Sequence, residues 1–111
     1  MHMPLIRPRI TTKSDYVVME FKLPSVDKRS LWVEISGDRV YIYGQYAADV
    51  RGLPFTIYPQ NGNKLKGDFN IPAPVSSDPR YLEATYQDDF LYLRLRRAYE
   101  YPKQTVKLYI R

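Results

Sequence analysis

The period of its apolar residues most constrains what this chain can fold into. From Tyr16 onward they recur at every second position, in short runs broken by proline, glycine and aspartate. Val17, Met19, Phe21 and Leu23 fall on one side of an extended backbone, with Glu20 and Lys22 on the other. Successive strand side chains point to opposite faces, so this run reads as a half-buried strand. A helix needs apolar residues three and four apart, and that spacing is weak throughout. Pro24 ends the run because proline has no N–H to give a ladder. Leu31, Val33 and Ile35 repeat the pattern with Trp32 and Glu34 opposite. Ser36-Gly37-Asp38 makes a tight turn, after which Val40, Ile42 and Gly44 share a face with Tyr41 and Tyr43 outside, so a hairpin is predicted.

The middle of the chain is less regular. Residues 45–64 are punctuated by Gly52, Pro54, Pro59 and Gly62 and contain an apolar piece, Leu53-Pro54-Phe55-Thr56-Ile57-Tyr58. A loop of this length in a small domain is commonly functional. Leu65, Phe69 and Ile71 indicate a strand ending at Pro72, and residues 73–80 read as a polar turn region. A second hairpin follows. Leu82, Ala84 and Tyr86 alternate with polar residues, Asp88-Asp89 turns the chain, and Leu91, Leu93 and Leu95 alternate with Tyr92, Arg94 and Arg96. After a polar stretch the chain closes on Val106-Lys107-Leu108-Tyr109-Ile110. About seven short strands without a helix predict an all-β, immunoglobulin-like β-sandwich of two sheets. With 111 residues there is room for one domain. We divide the chain into a short arm (1–9), the sandwich (10–97) and a C-terminal extension (98–111).

Composition narrows the chemistry. There is no cysteine, and the single histidine is His2 in the arm. Disulfides, thiol nucleophiles, cysteine-held metals and histidine acid–base chemistry in the body of the domain are therefore excluded. Asp88-Asp89 are adjacent carboxylates at a turn, and turn chemistry explains them. No catalytic, cofactor-binding or metal-binding residue is assigned, and the chain is expected not to be an enzyme. The net charge of +5 is scattered, without a run of five basic residues. It permits nucleic acid but does not call for it, so nucleic acid is not an expected partner. No apolar run reaches the roughly 18 residues that would span a bilayer, so no membrane partner is expected. The first residues lack the apolar core of a secretion signal, and the expected location is cytoplasmic.

Four sequence pieces, in order, resemble the α-crystallin domain of small heat-shock proteins. Phe21-Lys22-Leu23-Pro24-Ser25-Val26 followed by Leu31-Trp32-Val33-Glu34-Ile35 is similar to the family's Leu-Pro-Gly-Val turn and next strand, with Ser25 in the glycine position. Val40-Tyr41-Ile42-Tyr43-Gly44 is the second piece. Phe69-Asn70-Ile71-Pro72 resembles the family's Phe-x-Leu-Pro. Ala84-Thr85-Tyr86-Gln87-Asp88-Asp89-Phe90-Leu91 resembles Ala-x-x-x-Asn-Gly-Val-Leu, with Asp89 at a glycine position. The resemblance spans about residues 10–110. Gly67 stands where many members carry an arginine, and the arm is shorter than is typical.

The resemblance implies an ATP-independent holdase that binds unfolding client proteins and assembles as a homodimer or larger homo-oligomer. It implies three sites. Phe55, Thr56, Ile57 and Tyr58 lie where microbial members place a strand that swaps into the partner's sheet; the other reading is a loop folded onto its own domain. Val106, Leu108 and Ile110 match a tail motif that plugs a neighbour's groove; the other reading is an ordinary final strand. The groove lies between Leu31, Val33 and Ile35 on one side and Leu82, Ala84 and Tyr86 on the other. The outward Tyr41, Tyr43, Tyr92, Arg94 and Arg96 are read as cross-strand packing, or as a stacking platform for nucleic acid. A co-chaperone of the related p23/CS type and a purely structural assembly protein are the other protein-binding readings.

Overall fold

The computed structural model describes residues 7–47 and 64–111. Among the described residues there are eight strands: β1 (Arg9–Thr12), β2 (Tyr16–Lys22), β3 (Trp32–Ser36), β4 (Arg39–Gln45), β5 (Lys64–Asn70), β6 (Leu82–Gln87), β7 (Phe90–Arg96) and β8 (Val106–Tyr109). They form two four-stranded sheets, ordered β1-β2-β7-β6 and β5-β4-β3-β8, with every neighbouring pair antiparallel. Two single turns of 3-10 helix, Lys28–Ser30 and Pro79–Tyr81, precede β3 and β6. Asp27 and Asp78 begin them, each accepting a hydrogen bond from the backbone N–H two residues on. The predicted all-β sandwich is the fold observed.

The alternation that predicted the strands also sets the core. Val17, Met19 and Phe21 of β2, Val33 and Ile35 of β3, Val40 and Ile42 of β4, and Leu91, Leu93 and Leu95 of β7 are almost completely buried. Apolar burial on both inner faces, at about 25 cal/mol per Å², is what holds the sheets together. The β3–β4 turn uses Gly37 at φ 58°. The β6–β7 turn uses Asp88 and Asp89 at φ 52° and 68°. Two central residues with positive φ fit the right-handed strand twist, and glycine or asparagine meets that need at lower cost than aspartate.

Residues 73–80, read from the sequence as a polar turn region, contribute to the core. Ile71, Ala73 and Val75 are buried at alternate positions, and Val75 forms an isolated antiparallel bridge with Arg97. The segment is extended without being a ladder strand, and prolines at 72, 74 and 79 mask its period. Its N–H groups go elsewhere: Ile71 donates to the Asp38 carbonyl (2.6 Å) and Ser76 to the Arg96 carbonyl (2.8 Å).

Candidate functional site

The site with the clearest physical character is the side of the sandwich where β8 lies beside β3 and meets β6. Leu31, Val33 and Ile35 on one side and Leu82 and Ala84 on the other, read from the sequence as the walls of a groove, are all buried in the core, with Tyr86 half-buried against it. In the described chain, the C-terminal segment fills this place. β8 pairs antiparallel with β3, setting Val106 opposite Ile35 and Leu108 opposite Val33. Val106 and Leu108 are buried, and Ile110 packs against the core edge. Arg111 donates its backbone N–H to the Ala84 carbonyl at 3.0 Å, tying the tail to β6 of the other sheet. The tail thus lies across the mouth of the sandwich, on β3 by its ladder and on β6 by its end. Alternate apolar side chains enter, and Lys107 and Tyr109 stay outside.

Sequence reasoning placed Tyr86 in the groove but missed the work of its hydroxyl. Tyr86 donates to the Leu23 carbonyl at 2.5 Å and accepts from the Val26 N–H at 3.3 Å. It pins the turn at Ser25, which has φ 58°. The same turn is held from the other hairpin, where the Leu23 N–H donates to the Asp89 carbonyl at 2.7 Å. Two left-handed residues, Ser25 and Asp89, therefore stand side by side next to the groove. Burial pushes the Tyr86 hydroxyl pKa up, and Asp89 pushes it the same way, against the Val26 N–H, which lowers it. The available signal was the glycine position that each residue occupies in the resemblance.

A second feature is β1, which is an edge strand among the described residues. All four residues of Arg9–Thr12 are exposed. Ile10 lies opposite the fully buried Met19, so both point inward, yet Ile10 is 40% exposed. Among the described residues, the second sheet leaves it largely uncovered. The segment expected to pair with a partner, Phe55 to Tyr58, lies outside the described residues.

Of the outward aromatics, Trp32, Tyr43 and Tyr16 are engaged with their strand neighbours. Trp32 and Tyr43, directly opposite on β3 and β4, stack at 4.2 Å with 17° between their planes. From β8, on the other side of β3, Lys107 Nζ lies 4.1 Å from the Trp32 ring centre. On the other sheet the Arg94 guanidinium sits 3.8 Å above Tyr16 and 3.8 Å from Glu83. The Trp32 indole is thus in contact with both the Tyr43 ring and the Lys107 ammonium. A base could stack there only by displacing one of them, which favours cross-strand packing over a nucleic-acid platform. Among the described residues, no helix is long and apolar enough to cross a membrane.

Two four-stranded antiparallel sheets in this order, with an apolar tail strand lying beside β3, define the class: an α-crystallin-type β-sandwich. Solved structures of small heat-shock proteins share it. HSP18.5 from E. histolytica superposes with a TM-score of 0.63 at 21% identity, over 83% of this chain and 86% of that one. Heat shock protein 16.0 from Schizosaccharomyces pombe gives 0.67 at 16% identity, over 89% and 71%. A small heat-shock protein from Xylella fastidiosa, whose structure is described as a distinct high order structure, gives 0.60 at 17%, over 90% and 93%. No protein-family model matches the sequence, and no curated protein matches it significantly. At these identities the likeness is one of fold.

Proposed function

We propose that this protein is a small heat-shock-type chaperone: an ATP-independent holdase that binds unfolding chains and keeps them from aggregating. The observation that carries this reading is the occupied groove. An extended segment with alternate apolar side chains is bound there by strand addition to β3 and by burial of Val106 and Leu108. An unfolding chain offers the same two things, an extended backbone and exposed apolar side chains. The sandwich likeness to small heat-shock proteins supports the same reading.

The assembly follows from two edges. The Phe55–Tyr58 segment pairs with the exposed β1 edge of a second copy, making a homodimer and covering Ile10. A neighbour's Val106, Leu108 and Ile110 take the groove between β3 and β6 when dimers associate further, replacing the chain's own tail. The working location is the cytoplasm. Heating an aggregation-prone client with and without the protein tests the function directly. Suppressed light scattering without ATP is the expected result; unchanged client aggregation at equimolar protein rejects the holdase.

A further inference from the structure

A segment added to β3 meets two rows of side chains, one facing the core and one facing solvent. The tail meets the inward row with Val106 opposite Ile35 and Leu108 opposite Val33. The outward row of β3 is Trp32 and Glu34, and the tail sets Tyr109 and Lys107 opposite them. Lys107 therefore stands directly across from a carboxylate, and its ammonium leans toward the next residue along, 4.1 Å from the Trp32 ring centre. Tyr43 stacks on the same indole at 4.2 Å, which restrains the ring. Glu34 forms no ion pair among the described residues, so no fixed cation neutralises it. An indole face and a carboxylate both attract a cation, and both disfavour an anion placed opposite them.

We propose that the β3 edge selects among client segments by charge. Of the extended stretches that an unfolding chain offers, it takes those with a basic residue between two apolar ones and rejects those with an acidic residue there. The resident tail is the example of the pattern, with Lys107 between the buried Val106 and Leu108. Inward burial alone admits any alternating apolar segment, whatever stands between its apolar residues. Trp32 and Glu34 discriminate at that middle position, and they are specificity-determining residues for the edge. The inference rests on the strand-addition reading of the proposed function. It also opposes the overall charge of the molecule. A net charge of +5 draws acidic segments from a distance, and salt screens that attraction beyond about 8 Å. Selection at β3 therefore has the opposite sign to attraction by net charge, which makes the two separable.

The test uses the full chain carrying Leu108→Ala, which loosens the resident tail, with amide protection of the β2–β7 ladder as the check on its fold. The parent chain is the second host, in which the same order of affinities should hold at weaker apparent binding. Labelled peptides with the sequence of residues 104–111 carry lysine, arginine, glutamine or glutamate at the position of Lys107, and are titrated at about 0.15 M salt. Trp32 is the only tryptophan, so its emission reports occupancy of the edge, and peptide anisotropy reports binding independently. The lysine and arginine peptides should bind alike. Glutamine should bind about two- to five-fold more weakly, and glutamate about ten-fold more weakly. Glu34→Gln in the host should narrow the lysine-to-glutamate ratio about two-fold. Equal affinities for the four peptides, or tighter binding of glutamate, overturn the selectivity; if the parent chain still protects a heated client, the holdase reading stands. Binding of no peptide by either measure overturns strand addition at β3 and the selectivity with it.

Discussion

At the residue scale, the turns beside the groove carry a conformational cost that the fold absorbs. Ser25, Asp88 and Asp89 all have positive φ without being glycine. Asp89→Gly should therefore raise stability by about 0.5–1 kcal/mol, measured as a higher urea midpoint with an unchanged slope. Tyr86 works in the opposite sense. Losing its hydroxyl strands the Leu23 carbonyl and the Val26 N–H, so Tyr86→Phe should cost about 1–3 kcal/mol at pH 7. Its titration adds a pH signature. The folded state raises the Tyr86 pKa, chiefly by burial, so it favours the neutral phenol. That stabilisation is complete below the ordinary tyrosine value near 10 and is lost as pH rises through the raised one. Urea midpoints measured from pH 8 to 11 should fall less steeply in Tyr86→Phe than in the parent. Tyr46, raised by burial as well, leaves a residual slope.

At the element scale, what was legible depended on whether a strand had a buried face. β2, β3, β4, β6 and β7 each bury alternate residues, and each was visible as a period of two. β1 was not, because Arg9-Ile10-Thr11-Thr12 is a short edge strand with all four residues exposed and a single apolar side chain, so it has no period to show. β5 was half legible. Leu65, Gly67 and Phe69 share its inner face, and the missing side chain at Gly67 is filled by the Phe69 ring, which packs tilted against Phe21 with ring centres 4.8 Å apart. A Cβ at Gly67 would stand 3.0 Å from that ring. Gly67→Val should thus destabilise by about 1–3 kcal/mol, as overpacking of a filled core does, seen as a lower melting temperature. The β8 tail was legible as an apolar-x-apolar strand. Which groove it enters is not written in its residues, since own and neighbouring grooves are chemically identical. Leu108→Ala removes one of its two buried side chains. Amide exchange over residues 105–110 should accelerate at least ten-fold while the β2–β7 ladder stays protected.

At the scale of the whole molecule, the fold was legible and the assembly was not, because alternation reports burial within one chain. Size exclusion with light scattering should give a dimer or larger species, and a monomer at all concentrations would remove the swapped strand from the reading. Shortening the chain after Gln104 should leave the dimer and abolish anything larger.

The tail is joined to β7 by residues 97–105. Arg97 and Ala98 are held to Asp15 and Pro74 by backbone hydrogen bonds, and a flexible tether of the remaining seven residues holds an end group within about 13–16 Å of its start, which corresponds to an effective concentration of about a millimolar. At micromolar protein, a neighbour's tail therefore competes at a disadvantage of about a thousand-fold against the chain's own. If the proposed dimer associates further, the neighbour's tails can win only when several engage at once, each lowering the cost of the next. Growth should then be abrupt in concentration, with few sizes between the dimer and the finished particle, and dilution should return it to dimers without unfolding any sandwich.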